Sequence, residues 1–246
     1  MAQLTQWLNA VNALVWGIPM VVLILGTGLY LQLRLGLLPL RKIGYGFRMI
    51  WQSRRVKEGQ AGDISPYAAL MTALSATVGT GNIAGVATAI AVGGPGALFW
   101  MWMTALVGMA TKYAEVVLAV RFREQNAQGR WVGGPMYAIK NGLGPHWRWL
   151  GTAFAVFGGL AGFGSGAMVQ SNGIATAMEG AFALPWWVSG VVLAALTAAV
   201  ILGGITRIGA VAEKLVPAMC VLYIVCVLWV LGVFFDRIPA AFELII

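Results

Sequence analysis

The chain of 246 residues carries too little charge and too much apolar surface for a soluble domain. Charged residues make up 10% and hydrophobic residues 60% of it, with a mean hydropathy of +0.82, whereas soluble domains carry about 25% charged residues. Composition therefore excludes a soluble fold and predicts an all-α polytopic membrane protein.

Six apolar stretches are candidates for membrane-spanning helices, and the fifth is the shortest. Tryptophans cluster near the ends of these stretches, as in the aromatic belts of membrane proteins. Cys220 and Cys226 lie within one apolar stretch, which is typical of small core residues and not of a disulfide or a metal site. The predicted spans are residues 14–33, 66–90, 96–120, 149–176, 188–204 and 215–235.

Basic residues gather on one side of these spans. Of the 16 lysines and arginines, seven lie in residues 34–65, five in residues 121–148 and two between the last two spans. The positive-inside rule predicts that these connections are cytoplasmic, that both termini are extracytoplasmic and that the protein lies in the inner (plasma) membrane. The charge thus reflects topology and does not indicate nucleic-acid binding. Aromatic residues among the basic ones in 34–65 favour an amphipathic helix in contact with anionic lipid.

The second predicted span contains helix-weakening residues near its middle. It begins with Ser65 and Pro66, a typical N-cap and first helical residue, and its midpoint falls at Val78. Around that point the sequence reads SATVGTGNIAGVA, residues 75–87, without any charge. Irregular backbone at this depth is tolerated only against protein or a water-filled cavity.

Two interpretations of this stretch are open. Gly81 and Gly85 form a G-x-x-x-G pattern, which lets a neighbouring helix approach closely. Alternatively, the helix is broken, and the break offers carbonyl groups to a cation and N–H groups to a carboxylate. The clustering of polar residues favours the break. Its candidate ligands are Thr77 and Gly79 for a cation and Thr80, Gly81 and Asn82 for a substrate.

The absence of acidic residues narrows the chemistry of this predicted site. No Asp or Glu lies between Asp63 and Glu115. A site for a cationic amine or for protons usually contains a titratable side chain within the membrane. Carbonyls, hydroxyls and an amide are better suited to a zwitterion and a monovalent cation, which favours Na⁺ over H⁺.

Several motifs resemble those of the alanine/glycine:cation symporter family, also called the sodium:alanine symporters. Residues 79–124 read GTGNIAGVATAIAVGGPGALFWMWMTALVGMATKYAEVVLAVRFRE, in which the block GGPGALFWMWMTALVG at 93–108 is specific to that family. The motifs GGPMY at 133–137 and MVQSN at 168–172 also fit. The resemblance covers most of the chain.

The resemblance implies a fold and a function. Members have an extra first helix followed by two inverted five-helix repeats, as in the leucine-transporter fold. Residues 14–33 would be the extra helix and residues 66–235 the first repeat, with its broken helix at 66–90 and Gln170 lining the cavity as a substrate contact. The implied function is Na⁺-coupled symport of alanine or glycine, without enzymatic activity or an organic cofactor. Because members are roughly twice as long, we expect this chain to act with a missing second repeat; the alternative is a non-transporting fragment or structural subunit.

Two further motifs allow more than one interpretation. Lys112 and Glu115 are i,i+3 neighbours on the third span, where they either stabilise the structure near the inner mouth or take part in gating. The sequence GGPMYAIK, residues 133–140, is typical of a turn, with a gate element as the alternative.

Overall fold

The computed structural model describes residues 2–53, 64–162 and 166–245. Arg54, Arg55 and Lys57, which belong to the basic stretch 34–65, lie outside these ranges. The helices are α1 (Ala2–Val15), α2 (Ile18–Arg34), α3 (Leu38–Arg41), α4 (Ile43–Gln52), α5 (Pro66–Thr77), α6 (Ala84–Gly93), α7 (Ala97–Arg121), α8 (Pro135–Gly142), α9 (Arg148–Ala161), α10 (Ala167–Phe182), α11 (Trp186–Ile201), α12 (Gly204–Val233) and α13 (Ile238–Ile245). Two strands of two residues each, β1 (Glu124–Gln125) and β2 (Trp131–Val132), pair as an antiparallel hairpin.

The described residues form a predominantly helical membrane protein. Three of their helical segments are long and apolar enough to span a bilayer, namely Gln3–Arg34, Ala97–Arg121 and Gly204–Val233. The pair Pro66–Thr77 and Thr80–Gly93 meets the same test as one span bent by 60°. The six-span count stays a prediction, because α11 has only 16 residues and the stretch 149–176 is divided between α9 and α10.

The most extensive packing joins α5 to α12. Tyr67 and Met71 of α5 are buried with Ala212 and Val216 of α12. One turn earlier in both helices, Gly209 lies against Ile64 and Ala68, where an added side-chain carbon would come within 3.3 Å of Ile64 Cγ2. Contacting residues have increasing numbers along both helices in the same direction, so α5 and α12 run parallel.

A second close contact joins α2 to α7. Gly28 of α2 faces Val107 and Thr111 so closely that a side chain there would overlap them. The buried Gln32 donates from Nε2 to the carbonyl oxygen of Leu106 over 3.2 Å. Small residues and an interhelical hydrogen bond are typical of helix packing within membranes.

Hydrogen bonds to one carboxylate stabilise the connection after α7. Glu124 accepts hydrogen bonds from Lys140 Nζ at 2.8 Å and from Asn141 Nδ2 at 3.1 Å, and these donors hold the pKa of Glu124 below its usual value. Gly134, with φ of +124°, makes the turn that precedes α8. Only residues 133 and 134 of the predicted turn at 133–140 lie in a turn, because α8 begins at Pro135. This helix packs on α9, where Met136 O approaches Gly151.

Many large apolar side chains are exposed in the described residues. Val92 is 85% and Leu202 86% exposed, along with many other large apolar side chains. A bilayer or further protein would be needed to cover this surface.

Candidate functional site

The site is built at the interruption between α5 and α6. Ser65 caps α5 by accepting the N–H of Ala68 over 3.0 Å, with Pro66 as the first helical residue. The helix ends at Thr77, and Val78 and Gly79 are extended (φ −90° and −161°). A single 3₁₀ turn, Thr80–Asn82, then leads into α6. The break that the sequence favours is thus present in the structure.

Backbone N–H groups that would continue α5 are redirected at the break. Gly79 donates to Asn82 Oδ1 over 3.0 Å, while the N–H of Asn82 donates to the carbonyl of Gly79 over 3.0 Å. The N–H of Thr80 donates to Gln170 Oε1 over 2.9 Å. Since the last carbonyls of a helix depend on such donors outside it, the redirection leaves carbonyl oxygens at the end of α5 available to a ligand.

Gln170 of α10 reaches across to hold the turn. Its Oε1 accepts from both the N–H and the hydroxyl of Thr80, at 2.9 and 2.7 Å. A side-chain carbon at Gly79 would lie 2.5 Å from Gln170 Nε2, and one at Gly173 would lie 3.2 Å from Thr80 Cγ2. The two glycines therefore permit α10 to lie directly against the break.

The predicted ligands do not all meet in this cluster. Gly79, Thr80, Asn82 and Gln170 are linked by hydrogen bonds or direct contact. Thr77 ends α5 and donates its hydroxyl to Ala73 O within its own helix, over 2.9 Å. Sequence reasoning missed Gly173, although its position three residues after Gln170 on one helix face could have indicated it.

Gly81 and Gly85 have a different environment. Within the part of the chain that the structure describes, no atom lies within 4 Å of a side-chain carbon added at either position. The G-x-x-x-G pattern therefore makes no helix contact here, and the space beside Gly81 is open.

Comparison with known proteins shows to which family the chain belongs. A model of the sodium:alanine symporter family matches residues 1–246. The chain belongs to the sodium:alanine symporter family. This is a family of carriers and not of enzymes, in agreement with the sequence prediction.

Relatives in this family have several named substrates. The sodium/alanine symporter AgcS of Methanococcus maripaludis is 51% identical over 236 residues, which cover 95% of this chain and 52% of that protein. The putative sodium/proton-dependent alanine carrier protein YrbD of Bacillus subtilis is 38% identical over 242 residues, 98% of this chain and 49% of the carrier. The probable sodium/glutamine symporter GlnT of Bacillus subtilis is 37% identical over 235 residues, 96% of this chain and 48% of the symporter. The chain thus spans about half the length of these curated relatives.

Lys112 and Glu115 of this family member form an ion pair away from the break. Lys112 Nζ lies 2.8 Å from Glu115 Oε1, with side chains 62% and 44% exposed. The pair borders a groove between α2 and α7, together with Thr104 and Thr111. Exposed pairs of this kind contribute little to stability, and gating by the pair stays a prediction.

A larger groove runs beside Gln170. It has a volume of about 700 Å³ and lies between α10 and α11, with Ser171, Thr197 and small apolar residues on its walls. Gln170 thus borders an open groove as well as the turn.

Proposed function

We propose that this chain supplies one half of a Na⁺-coupled symporter for alanine or glycine in the inner (plasma) membrane. Its basic connections face the cytoplasm and its two ends lie on the extracytoplasmic side. The observation that carries the proposal is the broken helix α5–α6, held in place by Gln170 of α10. Family membership and the relative named for sodium and alanine support the substrate and the ion.

The cation is assigned to the end of α5. Carbonyl groups at a helix C-terminus carry partial negative charge, and the extended backbone at Val78 and Gly79 turns the next N–H groups away from them. The hydroxyl oxygen of Thr77 lies at the same helix end and keeps a lone pair for a ligand after donating to Ala73. Oxygen dipoles without a carboxylate fit Na⁺, the coupling ion; no organic cofactor is required.

The amino acid is assigned to the start of α6. The first N–H groups of a helix lack intrahelical partners and favour a carboxylate. Thr80 and Asn82 precede this helix start, and Gln170 Nε2 lies beside it. The space beside Gly81 is open, so a substrate can approach the turn there.

The depth of the site suits a midplane binding site. Thr80 lies 13 residues before the end of α6 and Gln170 lies 12 residues before the end of α10. At 1.5 Å per residue both are about 18–20 Å from those helix ends, within a hydrocarbon core of about 30 Å. Transporters with broken helices bind their substrates near the midplane.

The parallel packing of α5 and α12 supports the six-span repeat arrangement. Two parallel helices must be separated by an odd number of crossings. One crossing each by α7, by α9 with α10, and by α11 satisfies this condition. Residues 66–235 then form the first five-helix repeat after the extra helix at 14–33, and the second repeat belongs to the longer carrier.

The test is Na⁺-driven uptake of labelled alanine by vesicles that contain the chain together with the matching second half of the Methanococcus maripaludis symporter. Gln170→Leu should reduce uptake strongly, because it removes the acceptor for Thr80. Ser171→Ala is the matched control, since that hydroxyl donates only to Met168 O within α10. No Na⁺-dependent uptake by the unchanged pair would favour the alternative of a non-transporting structural subunit.

A further inference from the structure

The segment after α2 is purely cationic. Residues 1–53 contain no Asp or Glu, while Arg34, Arg41, Lys42 and Arg48 fall within or directly before α3 and α4. Neither of the two ion pairs found in the described residues involves these four side chains. Within the described residues, these four charges are therefore not paired with a carboxylate.

A left-handed turn folds this segment back against α7. Gly36 and Leu37 have φ of +59° and +58°, and the N–H of Leu37 closes the turn on Gln32 O over 3.0 Å. Helix α3 then packs on α7. Helix α4 is anchored by Ile50, which packs on the core between α5 and α12.

Helix α4 presents an apolar face beyond this anchor. Ile43, Phe47 and Ile50 recur at helical spacing, with Arg48 on another face. Only Ile50 is covered by the core, whereas Phe47 is 70% exposed. An amphipathic helix with this pattern is typical of one that lies in a membrane interface.

A groove of about 650 Å³ separates α3 and α4 from α7. Lys42 and Lys112 line it from opposite sides, with Tyr45 and Tyr113 beside them. The remaining wall is mostly apolar and includes Met109 and Val116. The groove thus joins two ammonium groups and two phenol hydroxyls to an apolar channel.

Lys112 lies near enough to one membrane interface for its side chain to extend toward the headgroups. Lys112 follows Ala97, the first residue of α7, by 15 residues, or about 22 Å along the helix in a core of about 30 Å. A lysine at this level extends its ammonium group toward the nearer interface. Glu115 accepts one hydrogen bond from Lys112, which leaves two of the three ammonium donors for another acceptor.

We propose that this groove binds an anionic phospholipid, whose phosphate contacts Lys42 and Lys112 while an acyl chain lies along Met109 and Val116. The absence of acidic residues in α2–α4 favours an anionic over a zwitterionic headgroup. The occupied groove ties the amphipathic α4 to α7 and to the membrane surface.

The test is lipid titration of the delipidated full chain, followed by native mass spectrometry. Phosphatidylglycerol should bind more tightly than phosphatidylcholine of the same acyl chains. Lys42→Gln with Lys112→Gln should weaken phosphatidylglycerol by about 30-fold, as expected for two surface cations. The charge-conserving Lys42→Arg with Lys112→Arg should keep the preference.

Arg207→Gln with Lys214→Gln is the matched control, because it removes two charges from α12 outside the groove. Equal binding of the two lipids, or an equal loss in both double variants, would overturn the proposal. The titration is repeated with the chain completed by a second half. If phosphatidylglycerol binding to the completed protein still depends on Lys42 and Lys112, the groove is a lipid site. If that binding is lost, the second half fills the groove, and the proposal is overturned as well.

Discussion

The two halves of the broken helix differ in how much of their surface is packed against the rest of the chain. Helix α5 buries Tyr67, Ala68 and Met71, and its partner α12 runs parallel to it. Helix α6 has ten residues and none of them is buried. Sequence alone does not distinguish the two, since both are apolar and similar in length.

The difference indicates which half is fixed. Packing against α12 anchors α5 to the rest of the chain. Helix α6 is connected to α5 through the turn, whose hydrogen bonds involve Gly79, Thr80 and Asn82. At its other end it is connected to α7 by a short segment that begins at Gly94. An anchored half and an exposed half are what a carrier needs if one bundle moves against another around the site.

The largest expected effect comes from filling the contact at the turn. Gly79→Ala places a carbon 2.5 Å from Gln170 Nε2, so the end of the Gln170 side chain must shift and lose its hydrogen bonds to Thr80. We expect Na⁺-driven alanine uptake by the completed carrier to fall to background. Gly85→Ala, at the second residue of α6 and facing open space, should keep most of the uptake.

Both variants must reach the membrane at equal levels, which surface labelling or immunoblotting of membranes checks. If Gly85→Ala is as damaging as Gly79→Ala, the close approach of Gln170 is not what makes the turn sensitive.

A smaller effect is expected at Asn82. Its Oδ1 accepts the N–H of Gly79, and Asn82→Leu leaves that donor without a partner at a cost of about 1–3 kcal/mol. We expect the alanine concentration for half-maximal uptake to rise by about tenfold. Thr88→Val is the control, because Thr88 bonds only to Ala84 O within α6. Equal shifts in the two variants would contradict a local role for Asn82.

The anchoring of α5 can be tested by stability. Met71→Ala removes a buried side chain from the contact with α12 and should cost about 2 kcal/mol or more, lowering the melting temperature by about 5 °C. Val92→Ala truncates an exposed apolar residue of α6 and should change the melting temperature little. Thermal unfolding in detergent, followed by circular dichroism, compares them. An equal change would mean that α5 is no better anchored than α6.

Much of this arrangement could be predicted because it depends on local backbone chemistry. Ser65 and Pro66 fix the start of α5 by capping, and the glycines near Val78 fix its end, since both effects act within one turn of helix. Family motifs then assigned Gln170 to the site. Its contact with Thr80 spans 90 positions in sequence, so no local rule could supply its geometry.

Other features needed the fold itself. Gly81 and Gly85 form a packing motif and Gly28 does not, yet of these three only Gly28 meets a neighbouring helix in the described structure. The predicted spans also left out residues 2–13, which form most of α1. Which small residue faces a helix depends on how distant segments cross, and single-sequence patterns do not encode that.

The smallest expected effect uses the two native cysteines as probes of α12. Cys220 packs against the core shared with α5, whereas Cys226 is exposed. Because α12 runs parallel to α5, a register offset of 145 residues from Met71 and Val216 places Cys226 beyond Thr77, the end of α5. N-ethylmaleimide should therefore label Cys226 faster than Cys220, measured by mass spectrometry of the Cys220→Ser and Cys226→Ser variants in detergent. Met71→Ala should narrow the difference by loosening the cover over Cys220, while Val92→Ala should leave it unchanged. If the two thiols of the chain without the Met71→Ala change are labelled at equal rates, α5 does not shield Cys220 of α12 from the reagent. The proposed contrast between a packed α5 and an exposed α6 would then have no physical basis.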